Sequence, residues 1–415
     1  MRLPLPRDEE SSLKVAENAP ENQALLTPND LPGLSAFSTV PFIEAIPFKE
    51  AQQFDDEEKT MGGVQGLSDP NIQAMLYSCC AESFIGTQQF EEALSAANQG
   101  LNVPGTTDPN IQAKLYSCCA DSFIGAQQFE EALSAANQGL NVEGITNPNI
   151  QAKLYSCCAN SFIGAQQFEE ALSAANQGLN VEGITNPNIQ AKFYLEKAFA
   201  SSFLKKWQET IDAANEGINV EGITDPNMLA ILYLKKATAS SLLKKWQEAI
   251  DAANEGRKVQ GITDSNIREL LDMRSYESQI EYYLTQNDDQ KILEVVQNGL
   301  DFFGSNISKK IQLWFYNIKM NALMNLNRLT KALETSQDCL KLLKSVPQPT
   351  TKAILFLTQA IIYKQRENFE AMLAAAIKGL AVQGCNDQNV LENLEQLKQT
   401  ALMHTTSQES RKRKR

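Results

Sequence analysis

Apolar residues recur at helical spacing through most of this chain. From Pro148 to Gln166, the residues Leu154, Tyr155, Cys158, Ala159 and Phe162 fall on one stripe at i, i+3, i+4 intervals. From Phe168 onward, Ala171, Leu172, Ala175, Gly178 and Leu179 form a second stripe. No alternating, β-branched run competes with either. Each first stripe opens on Asp or Asn followed by Pro. The side chain can accept from an orphan N–H, and Pro occupies a position where its missing N–H costs nothing. The second stripe ends at Asn180-Val181-Glu182-Gly183, where Gly permits a left-handed exit. The pattern predicts a helix, a short turn and a second helix.

That pattern is repeated. Asp69-Pro70-Asn71 returns at Asp108, Asn147, Asn186 and Asp225, each step being 39 residues. The units beginning at Asp108 and Asn147 differ only at Asp108/Asn147 and Asp121/Asn160, which marks tandem duplication. Beyond Thr263 the copies decay. A sixth unit from Asp264 to about Asn306 carries extra residues around Asn287-Asp288-Asp289. A seventh is marked by Tyr316, Met320, Leu329, Ala332 and Cys339, an eighth by Phe356, Ala360, Tyr363, Phe369 and Gly379. Asn389 to about His404 reads as a closing helix with a polar outer face, as the end of a stack requires.

Phe168-Glu169-Glu170-Ala171-Leu172, with Ala159 twelve residues before Ala171 and Gly178 seven after it, resembles the tetratricopeptide repeat. The small positions of that motif correspond to Ala81, Ala93 and Gly100, then Ala120, Ala132 and Gly139, then Ala159, Ala171 and Gly178. Units four and five place Trp207 and Trp246 at the helix junction, and Thr210 replaces one small residue. Two features depart from the family: the period is 39 rather than about 34, and the proline closing the second helix is displaced towards the next unit. The resemblance covers roughly residues 69 to 386. It implies an all-α fold, an α-solenoid of tandem helix–turn–helix repeats forming a superhelix.

The expected organisation is therefore a disordered Pro-rich leader (1–47), a degenerate half-repeat and linker (48–68), an array of about eight helix pairs with a closing helix (69–403), and a flexible basic tail (404–415). The leader holds seven of the fifteen prolines. Ala51-Gln52-Gln53-Phe54-Asp55-Asp56 echoes Ala165-Gln166-Gln167-Phe168-Glu169-Glu170, which suggests a surviving second helix near 48–62.

Charge narrows the function. The net charge is −13, and −18 without the last five residues, so the body repels phosphate backbones and a nucleic-acid surface is disfavoured. No apolar run approaches the roughly 20 residues of a membrane span, and no secretory signal is readable at the start. A single histidine, His404, removes most histidine-based acid/base and metal chemistry. No phosphate loop or nucleophile–base pair is present, so neither an enzyme nor a cofactor nor a small-molecule substrate is expected. Six of the eight cysteines are copies of one dipeptide, Cys79-Cys80, Cys118-Cys119 and Cys157-Cys158. Stacked helices about 8–10 Å apart hold such thiols too far apart to share a metal, so these read as small buried hydrophobes in a reducing compartment. Cys158, on the stripe with Leu154, Tyr155 and Phe162, is expected to be the more deeply packed of its pair.

In the resembled fold the first helices line the concave groove. The resemblance places there Lys114, Ser117 and Asp121, then Lys153, Ser156 and Asn160, then Lys192, Leu195 and Phe199. Lys114, Lys153 and Lys192 should form a line of positive charge for an acidic or amphipathic peptide, with Phe199 as an apolar anchor. Some tetratricopeptide domains clamp chaperone C-termini with lysine and asparagine. Ser78, Ser117 and Ser156 stand where the first lysine belongs, which argues against that partner. The resulting reading is a non-enzymatic, cytoplasmic scaffold that binds a protein or peptide. The alternative is a nuclear-targeted regulatory or host-directed effector, localised by Arg411, Lys412, Arg413, Lys414 and Arg415, a run that looks like an import signal.

Overall fold

Each repeat opens with the cap its sequence announces. In the computed structural model, which describes residues 68–304, 308–344 and 348–413, Asp69 accepts from the backbone N–H of Asn71 at 2.9 Å. Asp108, Asn147, Asn186 and Asp225 do the same for Asn110, Asn149, Asn188 and Asn227, at 2.8 to 3.0 Å. Pro follows at the first helical position in all five. The pairs so started are α1 (Pro70–Gly86) with α2 (Phe90–Leu101), α3 (Pro109–Gly125) with α4 (Phe129–Leu140), α5 (Pro148–Gly164) with α6 (Phe168–Leu179), α7 (Pro187–Phe203) with α8 (Trp207–Ile218), and α9 (Pro226–Leu242) with α10 (Trp246–Lys258). A sixth pair, α11 (Ser265–Gln286) and α12 (Asp289–Phe303), absorbs the extra residues by lengthening its first helix to 22 residues, ended by Asn287 in the left-handed region.

The chain divides into two units at Gly299/Leu300. The first is built from α1 to α11 and most of α12. The second holds α13 (Lys309–Asn325), α14 (Leu329–Leu342), α15 (Pro349–Gln365), α16 (Phe369–Leu380) and the closing helix α17 (Gln388–Arg413). Its core joins Ala353, Leu357, Ala360 and Ala376 to Leu394 and Ala401 of α17. His404 stacks on Phe369, ring centroids 4.0 Å apart. All described elements are helices, seventeen in all. None is long and apolar enough to cross a membrane.

Within the first unit the small residues sit where helices approach most closely. Ala81, Ala93, Ala120, Ala132, Ala159 and Ala171 are buried. A Cβ on Gly100 would come within 2.6 Å of Leu115 Cδ2 in the next first helix, so a larger residue there needs the leucine to shift. The junction aromatics reach forward as well. Phe90 covers Gly125 and Phe129 covers Gly164, each too close for a Cβ, whereas Phe168 stacks on Phe203 at 4.6 Å. Glycine and phenylalanine thus exchange at one position without changing the contact's place.

The 39-residue period has a structural reason. In each long connection a glycine takes positive φ, as at Gly144 (+88°) and Gly183 (+85°). The chain then returns to the previous unit's first helix. There Asn149 accepts from the backbone N–H of Thr185 at 3.1 Å and of Asn186 at 3.3 Å, and donates to Thr185 Oγ1 at 3.0 Å. Asn71, Asn110, Asn188 and Asn227 make the same three bonds to the following units. This asparagine ladder sutures consecutive repeats along one edge. Asn149→Ala should lower stability by about 1 kcal/mol, because exposed bonds of this kind are partly replaced by water. Urea melts should show the same loss for Asn110→Ala, and no loss at either site would assign the ladder no stabilising role.

The leader (1–47) and all but Ser68 of the half-repeat segment (48–68) lie outside the described residues. At the other end α17 continues through Arg413, so residues 404 to 413 are helical where the sequence suggested a flexible tail.

Candidate functional site

First helices pack on first helices, α1 on α3 and so on to α11, while each second helix packs chiefly on first helices. The first helices therefore form one layer of the unit, with a seam between each neighbouring pair. Three positions per helix, spaced four and three residues apart, supply the polar contacts across these seams. In successive helices they read Met75, Cys79 and Glu82; Lys114, Cys118 and Asp121; Lys153, Cys157 and Asn160; Lys192, Glu196 and Phe199; Ile231, Lys235 and Thr238.

At the first seams the charges interleave. Lys114 pairs with Glu82 at 2.9 Å, and Lys153 pairs with Asp121 at 3.2 Å and reaches Glu82 at 3.8 Å. The Cys157 thiol donates to Asp121 Oδ1 at 3.3 Å, and Cys118 lies 3.9 Å from the Ser78 carbonyl. Burial pushes the Asp121 carboxyl up, but Lys153 and Lys192 outweigh it and hold the group below its usual range. Burial would likewise lower Lys153; Asp121 overcomes it and raises the ammonium above its ordinary value. Burial drives the Cys118 thiol up to about 12, and burial with the Asp121 charge drives Cys157 up too. Neither thiol is a nucleophile at neutral pH.

The later seams differ. Glu196 occupies the position of Cys157 one unit on and is 3% exposed. Its Oε1 accepts from Ser156 Oγ at 2.5 Å and from Asn160 Nδ2 at 3.0 Å, whereas its Oε2 has no partner. Burial pushes its carboxyl up to about 7, against the opposing pull of Lys192, Ser156 and Asn160. Lys235, one unit further, sits with Nζ 3.5 Å from the Phe199 ring centroid. Burial alone brings its ammonium down to about 7, and the negative face of the ring works in the opposite direction.

The expected groove residues divide accordingly. Lys114, Asp121, Lys153 and Asn160 meet across the seams as described. Lys192 has neither ion pair nor hydrogen bond among the described residues, and acts on Asp121 and Glu196 at longer range. Ser117 is fully buried with its hydroxyl on the Lys114 carbonyl at 2.8 Å, so it is withdrawn from any groove. Ser156, Leu195 and Phe199 are buried as well. The expected bare line of positive charge is corrected: carboxylates neutralise Lys114 and Lys153, because Glu82 and Asp121 lie one helix back at the seven-residue offset. Cysteine burial is also uneven. Cys157 is 1% and Cys158 4% exposed, so the two are packed alike, one facing the neighbouring first helix; Cys79, at the start of the array, is exposed.

Sequence reasoning passed over Glu196 and Lys235. Aligning the units at 39 residues exposes the signal: a column that reads Cys, Cys, Cys changes to Glu and then Lys. Of the terminal basic run, Arg411, Lys412 and Arg413 lie on the last turn of α17, while Lys414 and Arg415 fall outside the described residues.

No family model and no curated protein matches the chain. Solved structures do. The apo form of RapI superposes with a TM-score of 0.53 at 9% identity, covering 80% of this chain and 98% of that one. A signal transduction ATPase with numerous domains and a tetratricopeptide repeat sensor, from Pyrococcus horikoshii, gives 0.51 at 13% identity over 85% of this chain and 56% of that one. A tetratricopeptide repeat protein from Parabacteroides merdae gives 0.40 at 10% identity, covering 69% of this chain and 98% of that one. The chain thus has a tetratricopeptide-like helical-repeat fold.

Proposed function

We propose that the protein is a non-enzymatic scaffold that binds a protein or peptide partner along its first-helix layer. One observation carries this reading: the seam positions turn from direct ion pairs among Glu82, Lys114, Asp121 and Lys153 to Lys192 and Lys235, which make no ion pair or hydrogen bond among the described residues, Lys192 acting on Asp121 and Glu196 only at longer range. A layer built only for stability would pair its charges throughout, since an unpaired half-buried charge is costly. A photocrosslinking residue placed at Lys192 should capture a partner that one placed at exposed Gln138, on α4, does not. Equal capture at both positions would move the binding surface off the first helices. Reversing Lys114, Lys153 and Lys192 together is a poor test, because glutamates at the first two would face Glu82 and Asp121 and loosen the array itself.

A second reading, a nuclear or host-directed effector, draws on the basic run at residues 411 to 415, a sequence of adjacent arginines and lysines of the kind an import receptor reads. Deleting residues 411 to 415 and imaging a fluorescent fusion tests it; an unchanged distribution removes it. In the scaffold reading the protein is cytoplasmic.

A further inference from the structure

One amine of the first-helix layer lacks the acid that its position would otherwise meet. In steps of 39 the middle seam position reads Cys79, Cys118, Cys157, Glu196, Lys235 and Arg274, and the third reads Glu82, Asp121, Asn160, Phe199, Thr238 and Glu277. Arg274 of α11 is answered three residues on by Glu277, at 2.6 Å. Cys157 meets Asp121, the third position of the previous unit. For Lys235 those two places hold Thr238 and Phe199. Neither can take its charge.

Lys235 is half-buried, with Nζ 3.5 Å from the Phe199 ring centroid, and it makes no ion pair or hydrogen bond among the described residues. Four helices pack on α9, namely α7, α8, α10 and α11. Lys192 of α7 acts towards α5, on Asp121, Cys157 and Glu196, and Arg274 of α11 is held by Glu277. No charged group of the four helices shifts Lys235; burial alone brings it down to about 7. A lysine desolvated without a partner gives up its proton readily, which is how amines become nucleophiles at neutral pH. About half of the side chain is then free amine at pH 7. An N–H can still rest on the ring, which leaves the nitrogen lone pair directed away from Phe199.

We propose that Lys235 is a covalent ligand site, a nucleophilic amine that condenses with an uncharged, apolar aldehyde to form an imine. The lone pair attacks the carbonyl carbon to give a carbinolamine. The carbonyl oxygen then leaves as water with the two amine protons, and a C=N bond remains; no oxidant or reductant is consumed. The surroundings select the class. A neutral imine adds no charge beside Phe199, whereas a carbamate or an acid-bearing aldehyde would set an anion against the negative face of the ring. Leu242, 47% exposed and seven residues further along the same face of α9, offers apolar surface to the aldehyde's substituent. Such a site requires no turnover and is independent of any partner on the first helices.

The test treats the full chain at pH 7 with hexanal, traps imines with sodium cyanoborohydride, and maps the alkylated lysines by peptide mass spectrometry. Lys235 should label faster than exposed Lys258 of α10 by at least about tenfold, and this excess should shrink towards pH 10, where ordinary lysines also lose their protons. Thr238→Glu places an acid three residues on, as Glu277 stands to Arg274, and should cut Lys235 labelling at pH 7 by about fivefold or more. Thr238→Gln, of the same size without the charge, should change it less than about twofold. Glyoxylate, an acid-bearing aldehyde, should show a smaller excess of Lys235 over Lys258 than hexanal does. Circular dichroism checks folding; if Thr238→Glu does not fold, the pH course of the native chain decides alone. Equal labelling of Lys235 and Lys258 at pH 7, equal labelling of the Glu and Gln variants, or a larger excess with glyoxylate would each overturn the proposal.

Discussion

Thermal stability of this protein should pass through a minimum near neutral pH, where most proteins are at or near their maximum. Two seam residues produce it from opposite sides. Unfolded, Glu196 loses its proton near 4.5; folded, it keeps it to about 7. Between those values folding must take up a proton, so stability falls as pH rises and levels off above 7. A shift of that size corresponds to about 3 kcal/mol. Asp272, also pushed up by burial, acts in the same direction. Lys235 does the reverse. Its ordinary value is 10.5 and its folded value is brought down to about 7, so folding releases a proton and stability climbs as pH rises above 7. Asp121 and Lys153 have shifts that act only in more acid and more alkaline windows. The raised thiols reverse the climb above their ordinary 9.0. Melting temperatures should therefore be higher at pH 4.5 and at about 8.5 than at 7. Glu196→Gln should raise the melting temperature at pH 7 and flatten the acid limb. Lys235→Met should flatten the alkaline one. A maximum at pH 7 in the native protein would show that Glu196 and Lys235 are solvated well enough to titrate normally.

The sequence read well wherever one repeat explains itself. Caps at Asp108 and Asn147, the two stripes, and the small residues Ala159, Ala171 and Gly178 act within a unit or between neighbours, and their spacing reports them directly. What escaped were relations spanning a whole period. Asn149 looks like the third residue of a cap motif, yet its side chain serves the N-terminus of the next unit, 36 and 37 residues on. Lys114 and Lys153 look like a free ladder until Glu82 and Asp121 are seen one helix back. Ser117 has the polarity of a groove residue, but its hydroxyl satisfies its own helix, the local bond that serine makes most readily. Duplication makes this blindness systematic. Identical residues suggest identical roles, whereas Cys118 is buried, with its thiol 3.9 Å from the Ser78 carbonyl of the preceding first helix, and Cys79 is exposed.

The same near-identity gives a controlled experiment in packing. Gly178→Ala should destabilise the array by about 3 kcal/mol or more, well beyond the cost of the same change at Gly217. Both glycines lie at the closest approach of a second helix to the following first helix. At Gly217 an added Cβ would come within 2.8 Å of Leu232 Cδ2 and 3.0 Å of its Cδ1, branch atoms that another rotamer moves aside. At Gly178 it would lie 2.1 Å from both Cε1 and Cζ of Phe193. Phe193 is fully buried, and a flat ring cannot shorten itself, so α6 and α7 must separate. Against either clash stands the gain of about 1 kcal/mol that alanine brings over glycine inside a helix. That gain offsets much of the cost at Gly217 and little of it at Gly178. The equivalent of Phe193 is leucine at Leu115, Leu154 and Leu232, which supplies the rescue. In a Gly178→Ala, Phe193→Leu double variant the branched side chain has the freedom it has beside Gly217, and most of the lost stability should return. Urea melts of the two single variants and the double one give the coupling directly. If Gly178→Ala and Gly217→Ala cost the same, or if Phe193→Leu adds its own loss without recovery, then the ring is not what excludes a side chain at this crossing.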